Sequence, residues 1–328
     1  MDLPVCVSGW ATAVPDSRVT NADLAARVDT SDEWIVERTG ISERRVAGPD
    51  ESTATLATNA ASHAIKRAGL TPTDIDLMVI ATVTPEQPIP HTGAFVGDML
   101  GLRCGSFDIN AACAGFVYEL VIGASMLATG YDHVLLVGAE TLSRIIDPND
   151  RTTIVLFGDG AGAAVLSKST RTPGLLGWDL GCDGSAAGLL EIPAGGSRKP
   201  ANAETVAAGE HYLKMAGQEV FRRAVRAVVD SARLTLERAD VRATDVDWFV
   251  PHQANGRIID AAAQRLGFDD DRTLVNIDRY GNTSSASIPL ALFEAVDEGR
   301  VRDGDLVLCS GFGAGMTWAS ALIRWGAQ

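Results

Sequence analysis

The chain is poor in the features that mark membrane, secreted, metal-binding and nucleic-acid-binding proteins. No apolar run approaches the ~18 residues of a membrane span, and the amino terminus, Met-Asp-Leu-Pro-Val-Cys, lacks the basic stretch and apolar core of a signal peptide. A cytoplasmic protein is expected. Cysteine is scarce: Cys6, Cys104, Cys113, Cys182 and Cys309 form an odd set with no Cys-x-x-Cys pair, and the five histidines show no ligand spacing. Neither a disulfide framework nor a metal site is expected. Basic residues are in deficit, 28 Lys and Arg against 42 Asp and Glu, and a net charge of -14 repels nucleic-acid phosphates. An anionic partner therefore needs a local basic patch. One candidate lies between Gly217 and Leu236, where Arg222, Arg226 and Arg233 share a helix face; a solvated face is the plainer reading. With 33 glycines and 13 prolines among 328 residues, the chain has an ordinary folded composition and a length that suits about two domains.

What is present is a loose internal repeat. Thr73-Asp74-Ile75-Asp76-Leu77-Met78-Val79 returns as Thr244-Asp245-Val246-Asp247-Trp248-Phe249-Val250, each after an alanine-rich amphipathic helix. Phe107-Asp108-Ile109, before Cys113, has a counterpart in Asn276-Ile277-Asp278, before Asn282. Asp132-His133-Val134-Leu135-Leu136-Val137-Gly138 is echoed by Asp305-Leu306-Val307-Leu308-Cys309-Ser310-Gly311. Near-continuous apolar strands alternating with helices indicate α/β layers with buried sheets, and the repeat predicts two similar halves, residues 1–173 and 174–328. The boundary is placed at the turn-forming run Ser-Thr-Arg-Thr-Pro-Gly. Equivalent loops of two such halves can meet at the interface between them.

Those loops carry a cysteine, a histidine and an asparagine. Cys113 lies between a short apolar strand and a helical run, where unpaired backbone N–H groups and the helix dipole favour a thiolate; the alternative is a small buried hydrophobe. His252 ends a strand and precedes a helix, a common place for a reactive group, although a core histidine reads the same way. Asn282 follows Gly281 at a serine-rich helix start and could be a turn or cap residue. Together they admit two chemistries. In a cysteine protease the histidine is the base for the thiol and the asparagine orients it. In a Claisen condensing enzyme the thiol carries an acyl group, while histidine and asparagine donate hydrogen bonds to a thioester oxygen on which enolate charge develops. Ser310-Gly311-Phe312-Gly313-Ala314-Gly315-Met316-Thr317 is either an oxyanion loop or a tight turn between strands. Phe157-Gly158-Asp159-Gly160-Ala161-Gly162 is not a phosphate loop, because an apolar strand follows it where a dinucleotide fingerprint needs a helix.

These segments, with Thr30-Ser31-Asp32-Glu33-Trp34-Ile35-Val36-Glu37-Arg38-Thr39-Gly40-Ile41, Pro251-His252-Gln253-Ala254-Asn255 and Gly281-Asn282-Thr283-Ser284, make the chain resemble a β-ketoacyl-acyl carrier protein synthase III of the thiolase superfamily. The resemblance runs end to end. It implies an α/β fold with the thiolase-like duplicated five-layer α-β-α-β-α architecture, a homodimer, and no metal or redox cofactor, coenzyme A thioester being a substrate. It implies an acyl group taken from acyl-CoA onto Cys113 and condensed with malonyl-acyl carrier protein, with His252 and Asn282 supporting decarboxylation. Oxyanion donors would be the N–H groups of Cys113 and Ala314. Thr30, Trp34, Arg38, Arg151, Gly217 and Ala254 would bind coenzyme A. Ile89, Leu142, Phe157 and Phe312 would line the acyl pocket, with Ile89 reaching in from a partner subunit. Arg222, Gln253, Arg257 and Arg265 would dock the acidic carrier protein. No nucleic acid or membrane partner is implied.

The chain departs from the family pattern in places. Gly313-Ala314-Gly315 replaces three glycines, which leaves the N–H of Ala314 intact. Gln218 stands where asparagine often follows Met-Ala-Gly, which puts a contact to the pantetheine arm in doubt. Isoleucine at position 89, where phenylalanine restricts the starter, points to a longer or branched acyl group. A starter-unit or acyl-transfer enzyme of a polyketide or other specialised pathway keeps the same residues. A biosynthetic thiolase would carry its second cysteine within the glycine-rich loop, and Cys309 precedes that loop. A non-catalytic carrier-binding module would have lost one of Cys113, His252 or Asn282.

Overall fold

The computed structural model describes residues 3–169 and 174–326. The expected boundary between halves falls at residues 170–173, outside the described residues. Apolar runs with few polar interruptions form strands buried on both faces, as in β2 (Leu77–Ala81), where every residue is buried. In the first half β1 (Val5–Ala13), β2, β3 (Gly105–Ile109), β4 (His133–Thr141) and β5 (Asp159–Lys168) form a sheet of order β1-β5-β4-β2-β3. In the second, β6 (Leu175–Cys182), β7 (Trp248–Pro251), β8 (Leu306–Gly313) and β9 (Thr317–Arg324) give the order β7-β8-β9-β6. Both halves have an antiparallel outer pair, an antiparallel turn-back and a parallel pair in the same succession.

Helices fill the remaining layers. After α1 (Asp32–Thr39), helix α2 (Thr53–Arg67) is capped by Ser52 and lays an alanine face on the first sheet. Such small side chains allow close helix-to-sheet packing. The helices α3 (Gly115–Ala128) and α6 (Ser287–Asp297) are apolar on nearly all sides because they lie between the two sheets, where Phe116 and Phe293 meet edge to face at 6.1 Å. Between them in sequence, α4 (Gly217–Ala239) and α5 (Gly256–Leu266) cover the outer face of the second sheet with one apolar stripe each. The result is the expected five-layer α-β-α-β-α fold.

The sheet registers correct one of the sequence matches. Met78 pairs with Ser106, and its counterpart Phe249 bridges to Thr273. Phe107 therefore corresponds to Leu274, two residues before the Asn276 of the sequence match. The second half's fifth strand shrinks to that single bridge, and Ile277–Tyr280 forms an inserted helical turn. Two backbone outliers fix the register after it: Ala112 at φ 47° and Ser284 at φ 49°. Asn110 accepts from the Ala112 N–H at 3.3 Å, and Asn282 accepts from the Ser284 N–H at 2.9 Å. Asn282 thus matches Asn110, and the counterpart of Cys113 is Ser285. Left-handed backbone at a non-glycine residue is costly, and these two of the four instances among the described residues occur at the loops that enter the central helices.

Candidate active site

Strand ends and helix starts from both halves converge on one cavity of about 240 Å³, lined by Cys113, His252, Asn282, Phe157, Phe312 and Gly313 among others. Cys113 sits in a helical turn just before α3. Strand β8 presses against that turn so closely that a Cβ on Gly313 would lie 2.5 Å from the Cys113 backbone nitrogen. Only glycine fits there. The Thr317 hydroxyl ties the two loops, lying 2.9 Å from the Ala111 carbonyl and 3.0 Å from that of Ala314. The backbones of Cys113 and Ala314 are thereby held beside one another.

Sequence position alone favoured a thiolate at Cys113, and the structure reverses this for the resting group. Burial between the sheets pushes the thiol up to about 12, Ser284 pulling the other way and the nearby Glu140 adding to the rise. Glu140 is itself buried and anchors the loops around it. It accepts from the N–H of Val83 at 3.0 Å, the hydroxyl of Thr84 at 2.8 Å and the hydroxyl of Ser285 at 2.8 Å.

His252 is buried, and the same desolvation holds its imidazole down at about 3, so the ring is neutral. Its Nδ1 lies 2.6 Å from the Ser287 hydroxyl. Asn282 uses its Oδ1 to accept from Ser284, which leaves the Nδ2 amide as a donor on a residue that lines the cavity. Two neutral donors and a thiol around one cavity suit charge developing on a bound carbonyl oxygen. They do not suit an imidazolium-thiolate pair.

The chain matches the family model of 3-oxoacyl-[acyl-carrier-protein] synthase III over residues 107–184 and that of its C-terminal region over residues 236–325. It is 52% identical over 325 residues to the beta-ketoacyl-[acyl-carrier-protein] synthase III of Symbiobacterium thermophilum, covering 98% of each chain. The chain belongs to the beta-ketoacyl-[acyl-carrier-protein] synthase III family. It is therefore a ketosynthase, an acyltransferase by reaction class. Another member, from Natranaerobius thermophilus, is 49% identical over 318 residues, 95% of this chain and 97% of that one. Among solved structures, the family's enzyme from Thermus thermophilus superposes with a TM-score of 0.92 at 45% identity, over 98% of this chain and all of that one. A priming β-ketosynthase of the R1128 polyketide pathway superposes with a TM-score of 0.93 at 38% identity, over 99% of this chain and 97% of that one.

The synthase III residues expected for other tasks are placed unevenly. Trp34, Arg38, Gly217 and Ala254 line the cavity, and Trp34 is flanked by the guanidinium groups of Arg38 at 5.3 Å and Arg151 at 4.9 Å. Arg151 is held by the Asp29 carbonyl at 2.7 Å. Thr30 is not among the lining residues, and its hydroxyl is buried. Leu142 lies behind Phe157 in a small apolar cluster with Ile146 and Leu213. Ile89 is 85% exposed on the loop after β2, away from the cavity of its own chain. Gln253 is a correction: it is buried, donating to the carbonyls of Pro251 and Leu274 and accepting from the Asn276 N–H, so it cannot meet a docked protein. Arg257 and Arg265 are exposed, and Arg222 is exposed while paired with Glu219 at 2.8 Å. Sequence reasoning missed Ser287, Thr317 and Glu140. Serine and threonine next to a turn read as caps, and only the fold shows what their hydroxyls reach.

Among the described residues no helix is long and apolar enough to cross a membrane.

Proposed function

We propose that this chain condenses an acyl-CoA starter with malonyl-acyl carrier protein to open fatty acid synthesis. Cys113 attacks the starter thioester, forming the acyl-cysteine thioester and releasing coenzyme A, which takes up the thiol proton. The carbonyl oxygen is held meanwhile by the N–H groups of Cys113 and Ala314. Malonyl-acyl carrier protein then loses carbon dioxide, and the electron pair of the broken C–C bond becomes an enolate whose oxygen accepts from His252 and Asn282. The enolate carbon attacks the acyl-cysteine carbonyl and expels Cys113 as a thiolate, which takes a proton from water to restore the thiol, giving 3-oxoacyl-acyl carrier protein.

The observation that carries this reading is a buried His252 sharing the cavity of Cys113 and Asn282, because burial holds the imidazole down at about 3, too weakly basic to take a thiol proton as a protease histidine must, while it can still donate beside the Asn282 amide to an enolate. Trp34 with Arg38 and Arg151 supports an aromatic nucleotide base stacking at the mouth. Arg222, Arg257 and Arg265 are the exposed cations we assign to the acidic carrier protein, and Ile89 the residue that reaches a partner subunit's acyl pocket in a homodimer. Leu142, Phe157 and Phe312 would wall that pocket, and no metal or redox group enters the scheme. We take the enzyme to act in the cytoplasm.

The test is incubation with radiolabelled acyl-CoA, with label expected on Cys113 and none on Cys113→Ala. Condensation by Cys113→Ala would remove the nucleophile from the scheme. The likeness to the R1128 priming ketosynthase favours a second reading, a starter-unit enzyme of a polyketide pathway, with the same chemistry at the same residues. A panel of acyl-CoA donors separates the two, and equal rates with acetyl and branched or longer groups would overturn the role given to Ile89.

A further inference from the structure

We propose that Ser287 is a positioning residue that fixes His252 as the Nε2–H tautomer, so that the imidazole offers a proton to the bound thioester oxygen and cannot act as a base toward Cys113. The proposal rests on the condensing-enzyme reading and adds how one of its two donors is set. It follows from counting protons around one buried hydroxyl.

Ser287 is the first residue of α6, and its side chain is buried with His252. Its Oγ lies 2.6 Å from His252 Nδ1 and accepts the Gln253 backbone N–H at 3.4 Å. The hydroxyl still has its own proton to place. A buried hydroxyl without an acceptor for that proton would cost free energy, and among the described residues Nδ1 is the acceptor it reaches. The Ser287 proton therefore goes to Nδ1, which must be the bare nitrogen of a neutral ring. The ring hydrogen is then on Nε2, the nitrogen left for a ligand in a residue that lines the cavity. His252 is held at its backbone as well, its N–H donating to the Ser310 carbonyl at 2.8 Å.

The repeat shows that this pair occupies a packing point common to both halves. By the registers given above, His252 corresponds to Ala81 and Ser287 to Gly115. In the first half these two positions are so close that a Cβ on Gly115 would lie 2.8 Å from the Cβ of Ala81. The first half fills the point with an alanine and a glycine. The second half places there a ring and the hydroxyl that orients it, and the fold that brings the two small residues into contact brings these into hydrogen-bonding distance.

The experiment uses the full-length enzyme with ¹⁵N-labelled histidine. In the wild type the His252 Nδ1 resonance is expected in the range of an unprotonated nitrogen accepting a hydrogen bond, with the proton on Nε2. A protonated Nδ1 would overturn the proposal, and this measurement needs no variant. In Ser287→Ala the rate of Cys113 acylation by acyl-CoA should stay within about twofold of wild type. The kcat for decarboxylative condensation should fall roughly 10- to 100-fold with little change in KM, less than the ~10²–10³ that loss of a whole donor costs. Ser287→Thr, which keeps the hydroxyl, should recover most of that loss. Unchanged condensation in Ser287→Ala, or equal defects in both half-reactions, would also overturn it. Failure of the underlying reading looks different: His252→Ala and Asn282→Ala would then condense at the wild-type rate.

Discussion

Glu119 gives a direct test of the energetics of the central layer. It lies on α3 between the two sheets, is wholly buried, and neither carboxylate oxygen has a hydrogen-bond partner. Burial pushes its pKa well above the usual carboxylate range, and the backbones of Val137 and Ala81, near it but not within hydrogen-bonding geometry, pull the other way without offsetting this. Below about pH 4.3 the acid is protonated in both the folded and unfolded chains, and its contribution to stability is fully present. As pH rises the unfolded chain ionises while the folded one keeps its proton. Stability is then lost at about 1.4 kcal/mol per pH unit until the folded pKa is passed. Glu119→Leu removes this loss and also the cost of unsatisfied buried polar atoms, about 1–3 kcal/mol at any pH. Glu119→Gln removes only the pH-dependent part. Urea unfolding at fixed protein concentration, at pH 5 and pH 8, should show Glu119→Leu more stable than wild type at both, with the larger margin at pH 8. The reasoning fails if the margin is the same at both pH values or shrinks at pH 8.

Three further outcomes are expected. Alkylation of Cys113 by iodoacetamide, followed by mass spectrometry, should accelerate about tenfold per pH unit between pH 7.5 and 9.5, because burial holds the thiol up to about 12. A rate that is flat over this range would show that the start of α3 dominates instead. Gly313→Ala places a methyl 2.5 Å from the Cys113 nitrogen and should slow acylation by at least 10²-fold in a labelled acyl-CoA assay. Trp34→Ala should raise KM for acyl-CoA about tenfold with kcat nearly unchanged, the loss of a stacking contact of ~1–2 kcal/mol on a half-buried ring.

Much of the architecture was legible because the repeat preserves local chemistry at strand starts. Asp76 and Asp247 each open a strand and each accept N–H groups from the neighbouring one, at 2.9 Å to His133 and 2.8 Å to Leu306, and the sequence shows both. The match that slipped, Phe107 with Asn276, did so because the inserted turn 277–280 has no counterpart in the first half, and a three-residue match carries no register. The cysteine, histidine and asparagine were legible as ends of elements that two similar halves bring together. What sequence withheld depends on which way a side chain turns. Gln253 adjoins His252 on the same loop but faces inward to the Leu274 carbonyl, and no periodicity exists over so short a stretch. The ionisation of Cys113 is withheld for a related reason. A helix start is visible in sequence, whereas burial of that start between two sheets is a tertiary fact, and it has the larger effect. Glu119 interrupts an apolar run at a position that would be solvent-facing on an ordinary surface helix.

The paired left-handed turns at Ala112 and Ser284 give the molecule two copies of one backbone corner, with a thiol at the next residue of one and a hydroxyl at the next residue of the other. The scaffold is thus indifferent to which half bears the electron-rich group. The surrounding side chains break the tie. In the first half the neighbouring strand end and helix start are Ala81 and Gly115, too close for anything larger, and the reactive side chain is left to stand alone. In the second half the same neighbours are His252 and Ser287, and the hydroxyl in the cysteine's place, on Ser285, is spent on anchoring Glu140. One copy of the corner has become the group that bonds, the other a fixed mount for the groups that bear charge. Exchanging the two roles would require rebuilding both neighbourhoods at once, which makes the asymmetry of this symmetric fold stable against any single substitution.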